Sequence, residues 1–261
     1  MMIANPSSPR TFLVDNGYVY LSKDEVRIPD KMLREAASRV ERDVLELQEK
    51  EEDSHQEQPI DLLKAKTTKA LMKIKKWVLK NVIHPRFSKD AHVPDSWNQQ
   101  QTMYGRVKKR NEFTRPHCDA YNTIVKRKLV DHDDSTKLFI ADELPIYTVW
   151  IPLVDMCPRF SHLRVQPRTH KLPNIAFVDE FKGVTPQGYK PLSRNFVRPK
   201  SAYRAGDVVI FHCLTQHDAT SHRAQKGYRV SMDFRMLMKI DLDGDGDGIV
   251  RSAKRRRVEE N

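Results

Sequence analysis

Two histidines, one carboxylate and one arginine follow one another along the chain as His117-Cys118-Asp119, then His217, then Arg229. Two imidazoles and a carboxylate are the donor set that occupies one face of an octahedral Fe(II) ion and leaves the opposite face open for O₂ chemistry. A downstream arginine offers a planar fork that holds a carboxylate cosubstrate through paired, charge-assisted hydrogen bonds. The chemistry expected of such a set is that of a non-haem iron oxygenase.

The elements must bring these residues together. Pro116 disfavours helix at Arg115, so Phe113 to Tyr121 reads as extended chain. On a strand, residues i and i+2 share a face about 6.5 to 7 Å apart. His117 and Asp119 are thus expected to point at one metal while Cys118 points away. The His-x-Asp spacing alone is weak, because the chain has 10 histidines and repeats the pattern at His132-Asp133-Asp134. That second copy lies in a charged run with loop character, 126–137.

The distal half carries more information. Ala205-Gly206-Asp207 is a turn signal, and Val208-Val209-Ile210-Phe211 is a short apolar run suited to a buried strand. His212 and His217 follow it. After a polar loop, residues 228–236 alternate. Arg229, Ser231, Asp233 and Arg235 fall on one face, and Val230, Met232 and Phe234 on the other. A polar face is ordinarily the wet side of a sheet. Behind a candidate metal histidine, it instead suggests a charged interior that an anionic ligand must satisfy.

These segments, in this order, resemble the phytanoyl-CoA dioxygenase family of Fe(II)- and 2-oxoglutarate-dependent oxygenases. The resemblance rests on His117-Cys118-Asp119, on Tyr147 to Leu153, on Leu163 to Lys171, on Ala205 through His217, and on Arg229 to Arg235. Asp15 to Leu21 resembles the opening strand of the family. The resemblance implies an α+β, mainly β fold: a double-stranded β-helix (jelly-roll, cupin-like) with flanking N-terminal helices. It implies that His117, Asp119 and His217 hold Fe(II), and that Arg229 binds the distal carboxylate of 2-oxoglutarate with Ser231 as a second partner. Tyr104 and Trp150 are candidates for lining the pocket, with core packing the alternative for Trp150. His212 is read as structural. The reaction implied is hydroxylation of a small-molecule or acyl-type substrate, with succinate and CO₂ released. One departure stands out, since Arg168 occupies a turn position where the family has glycine, and a left-handed φ there is costly for arginine.

Residues 1–240 are expected to form a single domain, with a helical elaboration over about 25–95 and a β core over about 100–238. Asp30 is a candidate N-cap for a helix carrying Leu33, Ala36, Ala37, Val40, Val44 and Leu47 at helical spacing, which fades into a polar loop from Gln48. A second helix carries Leu62, Leu63, Ala70, Leu71, Ile74, Trp77 and Val78 among many lysines, read as a solvated face. Residues 241–261 read as a flexible acidic linker and a basic tail. The Asp-Gly repeat at 241–248 lacks the glutamate a calcium loop needs at its twelfth position. Lys254-Arg255-Arg256-Arg257 is a candidate nuclear-import signal or a solvated end.

No apolar stretch approaches the roughly 20 residues of a membrane span. The three cysteines are few, odd in number and not in zinc-type pairs, which fits a reduced intracellular setting, cytoplasmic or nuclear. The net charge of +11 raises a nucleic-acid-modifying oxygenase as the alternative, and Arg229 and Arg235 stand six apart as in nucleic-acid dealkylating oxygenases. No nucleic-acid-binding motif supports it, and the charge equally suits an anionic small molecule. A barrel without catalysis is a third reading, which the intact ligand set opposes. A zinc hydrolase would need a further ligand. Substrate choice is expected to lie in loops 126–144 and 171–200.

Overall fold

The computed structural model describes residues 8–51, 65–94, 103–108, 114–119, 145–156, 163–171, 196–198, 202–219 and 229–240. The loop 126–144, nearly all of 171–200, His132, Leu62, Leu63 and the acidic and basic tail with Lys254 to Arg257 lie outside the described residues.

Helix α1 (Pro9–Asn16) begins with proline in its first turn, where the missing N–H costs nothing, and ends at Gly17 in the left-handed region at φ 78°. That reversal feeds strand β1 (Tyr18–Leu21). A one-turn helix α2 (Lys23–Val26) is closed by a capping box in which Ser22 N donates to Glu25 Oε2 at 2.8 Å. The long helix α3 (Asp30–Glu51) includes Asp30 rather than being capped by it, because the Pro29 carbonyl already accepts from Met32 N and Leu33 N. It also runs into the segment read as a polar loop, as far as Glu51. Helix α4 (Ala65–Val78) passes into a π-helical turn (Leu79–Ile83) and a short α5 (His84–Arg86). Pro85 lacks the N–H that a regular α-helix would use there.

The strands are β2 (Met103–Lys108), β3 (Thr114–His117), β4 (Ile146–Pro152), β5 (Leu163–Val165), β6 (Val208–His212), β7 (His217–Ala219) and β8 (Arg229–Leu237). Among the described residues they form two antiparallel sheets, a larger one ordered β1-β6-β4-β8-β2 and a smaller one ordered β3-β7-β5.

Side-chain alternation sorts the larger sheet into two faces. Val230, Met232, Phe234 and Met236 of β8, with Val149 and Ile151 of β4 and Val208 and Ile210 of β6, join the core formed by Leu33, Ala36 and Val40 of α3 and Leu71, Ile74 and Val78 of α4. Each such side chain removed from water contributes about 1.5–3 kcal/mol. The intervening residues Trp150, Val209 and Phe211 join Leu163 and Val165 of the smaller sheet in a second cluster. The helices therefore back one face of the larger sheet, and the smaller sheet covers the other. The polar face of β8 is not a wet surface: Arg229, Ser231, Asp233 and Arg235 are all buried.

Candidate functional site

His117 closes β3 and His217 opens β7, and the two are partners across the smaller sheet. Pro116 is tolerated beside them because β3 is an edge strand whose register shifts between Thr114 and His117. Asp119 lies just past the end of β3, so it reaches the histidines from a turn and not as the next inward residue of a strand. Its Oδ1 stands 3.8 Å from His117 Nε2 and 3.6 Å from His217 Nε2. The three ligand atoms lie within 4.8 Å of one another, a spacing that could hold a metal ion. Metal–ligand bonds of about 2.0–2.2 Å require donor atoms roughly 3–4 Å apart. Among the described residues, no other group of this kind occurs.

His217 and Asp119 are held from behind. His217 Nδ1 lies 3.1 Å from the Thr215 carbonyl, which assigns the proton to Nδ1 and leaves the Nε2 lone pair directed at the site. Thr215 is itself pinned through its hydroxyl, which donates to the Gly17 carbonyl at 2.7 Å. The neighbouring Gln216 N donates to Thr169 Oγ1 at 2.9 Å. On Asp119, Oδ2 accepts from Thr148 Oγ1 at 2.6 Å and from Arg235 Nη2 at 2.9 Å. Its Oδ1 is thereby the oxygen turned to the imidazoles.

Electrostatics follow from this packing. Burial alone would raise the Asp119 carboxyl, but Arg235, then the two imidazoles and the Thr148 hydroxyl, outweigh it and hold the group well below the usual carboxylate range. Burial pushes His217 down, toward the neutral form a metal requires. Asp233 is similarly held ionised against its burial by Arg106 and Arg235.

The three candidate ligands line a cleft of about 460 Å³, its open mouth included, together with Thr148, Trp150, Phe211, Asp218 and Arg229. Arg229 is 3% exposed, on the strand facing the histidines. Ser231 is 0% exposed, and its hydroxyl has no hydrogen-bond partner among the described residues. A sealed, unsatisfied hydroxyl two residues along the strand from a buried guanidinium is what a carboxylate ligand would complete. Fe(II) and 2-oxoglutarate thus fit the donor set and the cleft.

Trp150 lines the cleft and packs edge-on against Tyr203, ring centroids 5.0 Å apart, so it belongs to the core and the pocket at once. The Tyr104 ring lies 5.0 Å from both the Arg106 and Arg235 guanidinium carbons, behind the cleft wall. His212 stays outside the triad: its Nδ1 accepts from Leu214 N at 3.1 Å, and its ring meets Tyr147 edge-on. Arg168 adopts φ 65°, so the turn keeps its left-handed geometry with arginine in the glycine position. Sequence reasoning missed Thr148, whose only signal was its inward place in the alternation of β4. It also missed the role of Arg235, which was visible as a member of the polar face without its partner Asp119.

The sequence profile of the phytanoyl-CoA dioxygenase family matches residues 27–231. No curated protein sequence matches the chain. Its structure is similar to that of the epimerase SnoN, determined in complex with Fe3+, alpha ketoglutarate and nogalamycin RO. There the TM-score is 0.52 at 16% identity, covering 92% of this chain and 90% of SnoN. It is also similar to the non-heme alpha ketoglutarate dependent carbocyclase SnoK, with TM-score 0.49 and 18% identity over 92% of each chain. With the profile spanning most of its length and the described strands following the order in which the motifs occur, the chain belongs to the phytanoyl-CoA dioxygenase family and is a non-haem Fe(II)- and 2-oxoglutarate-dependent enzyme.

Proposed function

We propose that the protein is a dioxygenase that hydroxylates a small-molecule or acyl-type substrate, with His117, Asp119 and His217 as the iron ligands and Arg229 and Ser231 as the cosubstrate clamp. The observation that carries the reading is the shared cleft: three convergent donor atoms and the buried Arg229 line the same space, with the buried Ser231 two residues along β8 from that arginine. The two facing antiparallel sheets support closure into a double-stranded β-helix within one domain over residues 1–240.

Bound iron supplies the O₂-activating chemistry, in which 2-oxoglutarate becomes succinate and CO₂ as the substrate is hydroxylated. The residues of the chain do the positioning. Thr148 and Arg235 hold the Asp119 carboxylate in its charged form, and the Thr215 carbonyl holds the His217 tautomer. Arg229, with Ser231 beside it on β8, would hold one carboxylate of the dicarboxylate. Trp150, Leu163 and Phe211 supply apolar walls that exclude water from the reacting atoms.

The test is succinate release from 2-oxoglutarate by protein reconstituted with Fe(II) and ascorbate, compared with His217→Ala. Candidate substrates are then scored by stimulation of that release, with carboxylic acids and acyl thioesters in one panel and methylated oligonucleotides in another. Stimulation by the first panel supports the proposal. Stimulation confined to oligonucleotides would move the substrate class to nucleic acid, and no wild-type release above His217→Ala would sink the oxygenase assignment.

A further inference from the structure

We infer that Arg235, with Thr148, is a positioning device that reserves one oxygen of Asp119 for the metal, and that this device is anchored through Asp233 to Arg106 at the molecular surface. The inference rests on the assignment of Asp119 as an iron ligand. A free carboxylate presents two equivalent oxygens, and a metal can take one or both. Here the two are made inequivalent. Oδ2 accepts from Thr148 Oγ1 at 2.6 Å and from Arg235 Nη2 at 2.9 Å, while Oδ1 faces both histidine Nε2 atoms. With Oδ2 taken, Asp119 offers a single ligand atom. The metal face opposite the triad then stays open for the two oxygens of the 2-oxo acid and for O₂.

The arginine that does this is itself fixed. Arg235 Nη1 donates to Asp233 Oδ2, and Asp233 Oδ1 accepts from Arg106 Nε at 2.6 Å. The Tyr104 ring lies against both guanidinium groups, 5.0 Å from each. Asp119, Arg235, Asp233 and Arg106 therefore form a row of alternating charge. Arg235 and Asp233 are buried within it, and the Arg106 side chain is 43% exposed at its outer end. With Thr148 the network spans four elements: the turn after β3 and strands β8, β2 and β4. The paired register explains why it closes. Arg235 sits opposite Thr148, and Asp233 sits opposite both Tyr104 and Trp150. A buried carboxylate and guanidinium alternating in this way leave little uncompensated charge, and breaking one link strands its neighbour.

The consequence differs from that of a merely structural salt bridge. Losing either partner loosens Oδ2 and lets Asp119 offer both oxygens, and losing Arg235 also removes a positive charge from beside the metal site. Metal binding should persist, whereas chelation of the 2-oxo acid should weaken because one of its positions is contested. The variants are Arg235→Gln, Arg235→Lys and the isosteric Thr148→Val, the last chosen because it keeps the buried charges and so folds even if the arginine changes do not. Co(II) serves as the probe metal under anaerobic conditions. Its binding curve gives affinity, its visible ligand-field bands report coordination, and a following titration gives the half-saturation for 2-oxoglutarate.

The expected result for Thr148→Val and Arg235→Gln is a Co(II) affinity no weaker than wild type, altered ligand-field bands, and a 2-oxoglutarate half-saturation raised about tenfold. Arg235→Lys should recover part of the loss, since it keeps the charge and one donor but not the fork. Folded variants with wild-type bands and wild-type half-saturation would overturn the inference. So would variants in which Co(II) affinity and 2-oxoglutarate affinity fall together. Wild-type protein that fails to bind Co(II) would instead overturn the iron-site assignment on which the inference stands, so the two failures are distinguishable.

Discussion

Ser231 keeps a hydroxyl sealed from water with no hydrogen-bond partner among the described residues. Such a group costs stability unless a ligand satisfies it. Ser231→Ala should therefore leave the melting temperature of the metal-free protein unchanged or raise it. The 2-oxoglutarate dissociation constant should rise about three- to tenfold, corresponding to one lost hydrogen bond of roughly 0.5–1.5 kcal/mol. A variant that melts lower and binds 2-oxoglutarate normally would show the hydroxyl to be part of the packing alone. Two backbone positions near the site point in opposite directions. Arg168 holds φ 65°, a conformation that costs a side-chain-bearing residue about 1–2 kcal/mol. Arg168→Gly should consequently stabilise the fold by up to about 1 kcal/mol in urea unfolding, after the extra freedom glycine gains in the unfolded chain is deducted. Gly17 also has positive φ, and a methyl group there would sit 2.3 Å from His170 Nδ1 and 2.6 Å from Thr215 Oγ1. Gly17→Ala should destabilise by roughly 2–4 kcal/mol. Because Thr215 orients His217, it should also weaken metal binding, and unchanged metal affinity would detach Gly17 from the site.

At the scale of elements, β8 joins the core to the site. Its even-numbered residues Val230, Met232, Phe234 and Met236 hold the sheet to the helices, and Arg229, Asp233 and Arg235 on its other face line the cleft. Met232→Ala should cost about 2–5 kcal/mol in urea unfolding with 2-oxoglutarate affinity little changed in the folded fraction. A comparable loss of affinity would mean that the two faces are not separable. The alternation of this strand was legible in the sequence because a period of two needs no tertiary information. What alternation cannot reveal is whether a polar face meets water, and here a second sheet covers it. Helices α3 and α4 were legible from their apolar spacing, but their ends were not, and neither were α1, which takes in Asp15 and Asn16 ahead of β1, and α2. Pro29 supplies the carbonyl that displaces Asp30 from the cap position, and the π-helical turn before Pro85 has no periodic signature. His117, Asp119 and His217 were legible as residue types in order. Thr148 and the Asp119–Arg235 link were not, since both depend on which strands become neighbours. The turn that brings Asp119 in from beyond β3 was likewise invisible, because i and i+2 on a strand predicts the same convergence.

On the scale of the whole molecule, helices back one side of the larger sheet and the smaller sheet closes the other, so the cleft lies in an interior rich in buried charge. No described helix is long and apolar enough to cross a membrane. The buried charge gives stability a definite pH dependence. Arg106 and Arg235 hold Asp233 below its usual range despite burial. Its folded-state pKa is thus lower than the unfolded value of about 3.9, and its contribution is present above that pH and lost as pH falls through the folded value. Asp233→Asn should flatten the decline of the urea midpoint on acidification below about pH 4, and identical slopes would remove Asp233 from the account. The proposal that one cleft holds iron on His117, Asp119 and His217 and 2-oxoglutarate on Arg229 has a direct test. It is anaerobic titration with Fe(II) and then 2-oxoglutarate, following the weak visible charge-transfer band of the chelate in wild type, Asp119→Ala and Arg229→Ala. Wild type should give a band, Asp119→Ala should lose it, and Arg229→Ala should require at least about tenfold more 2-oxoglutarate. A wild-type protein that binds no iron and gives no band, or a band indifferent to both substitutions, would contradict the proposal.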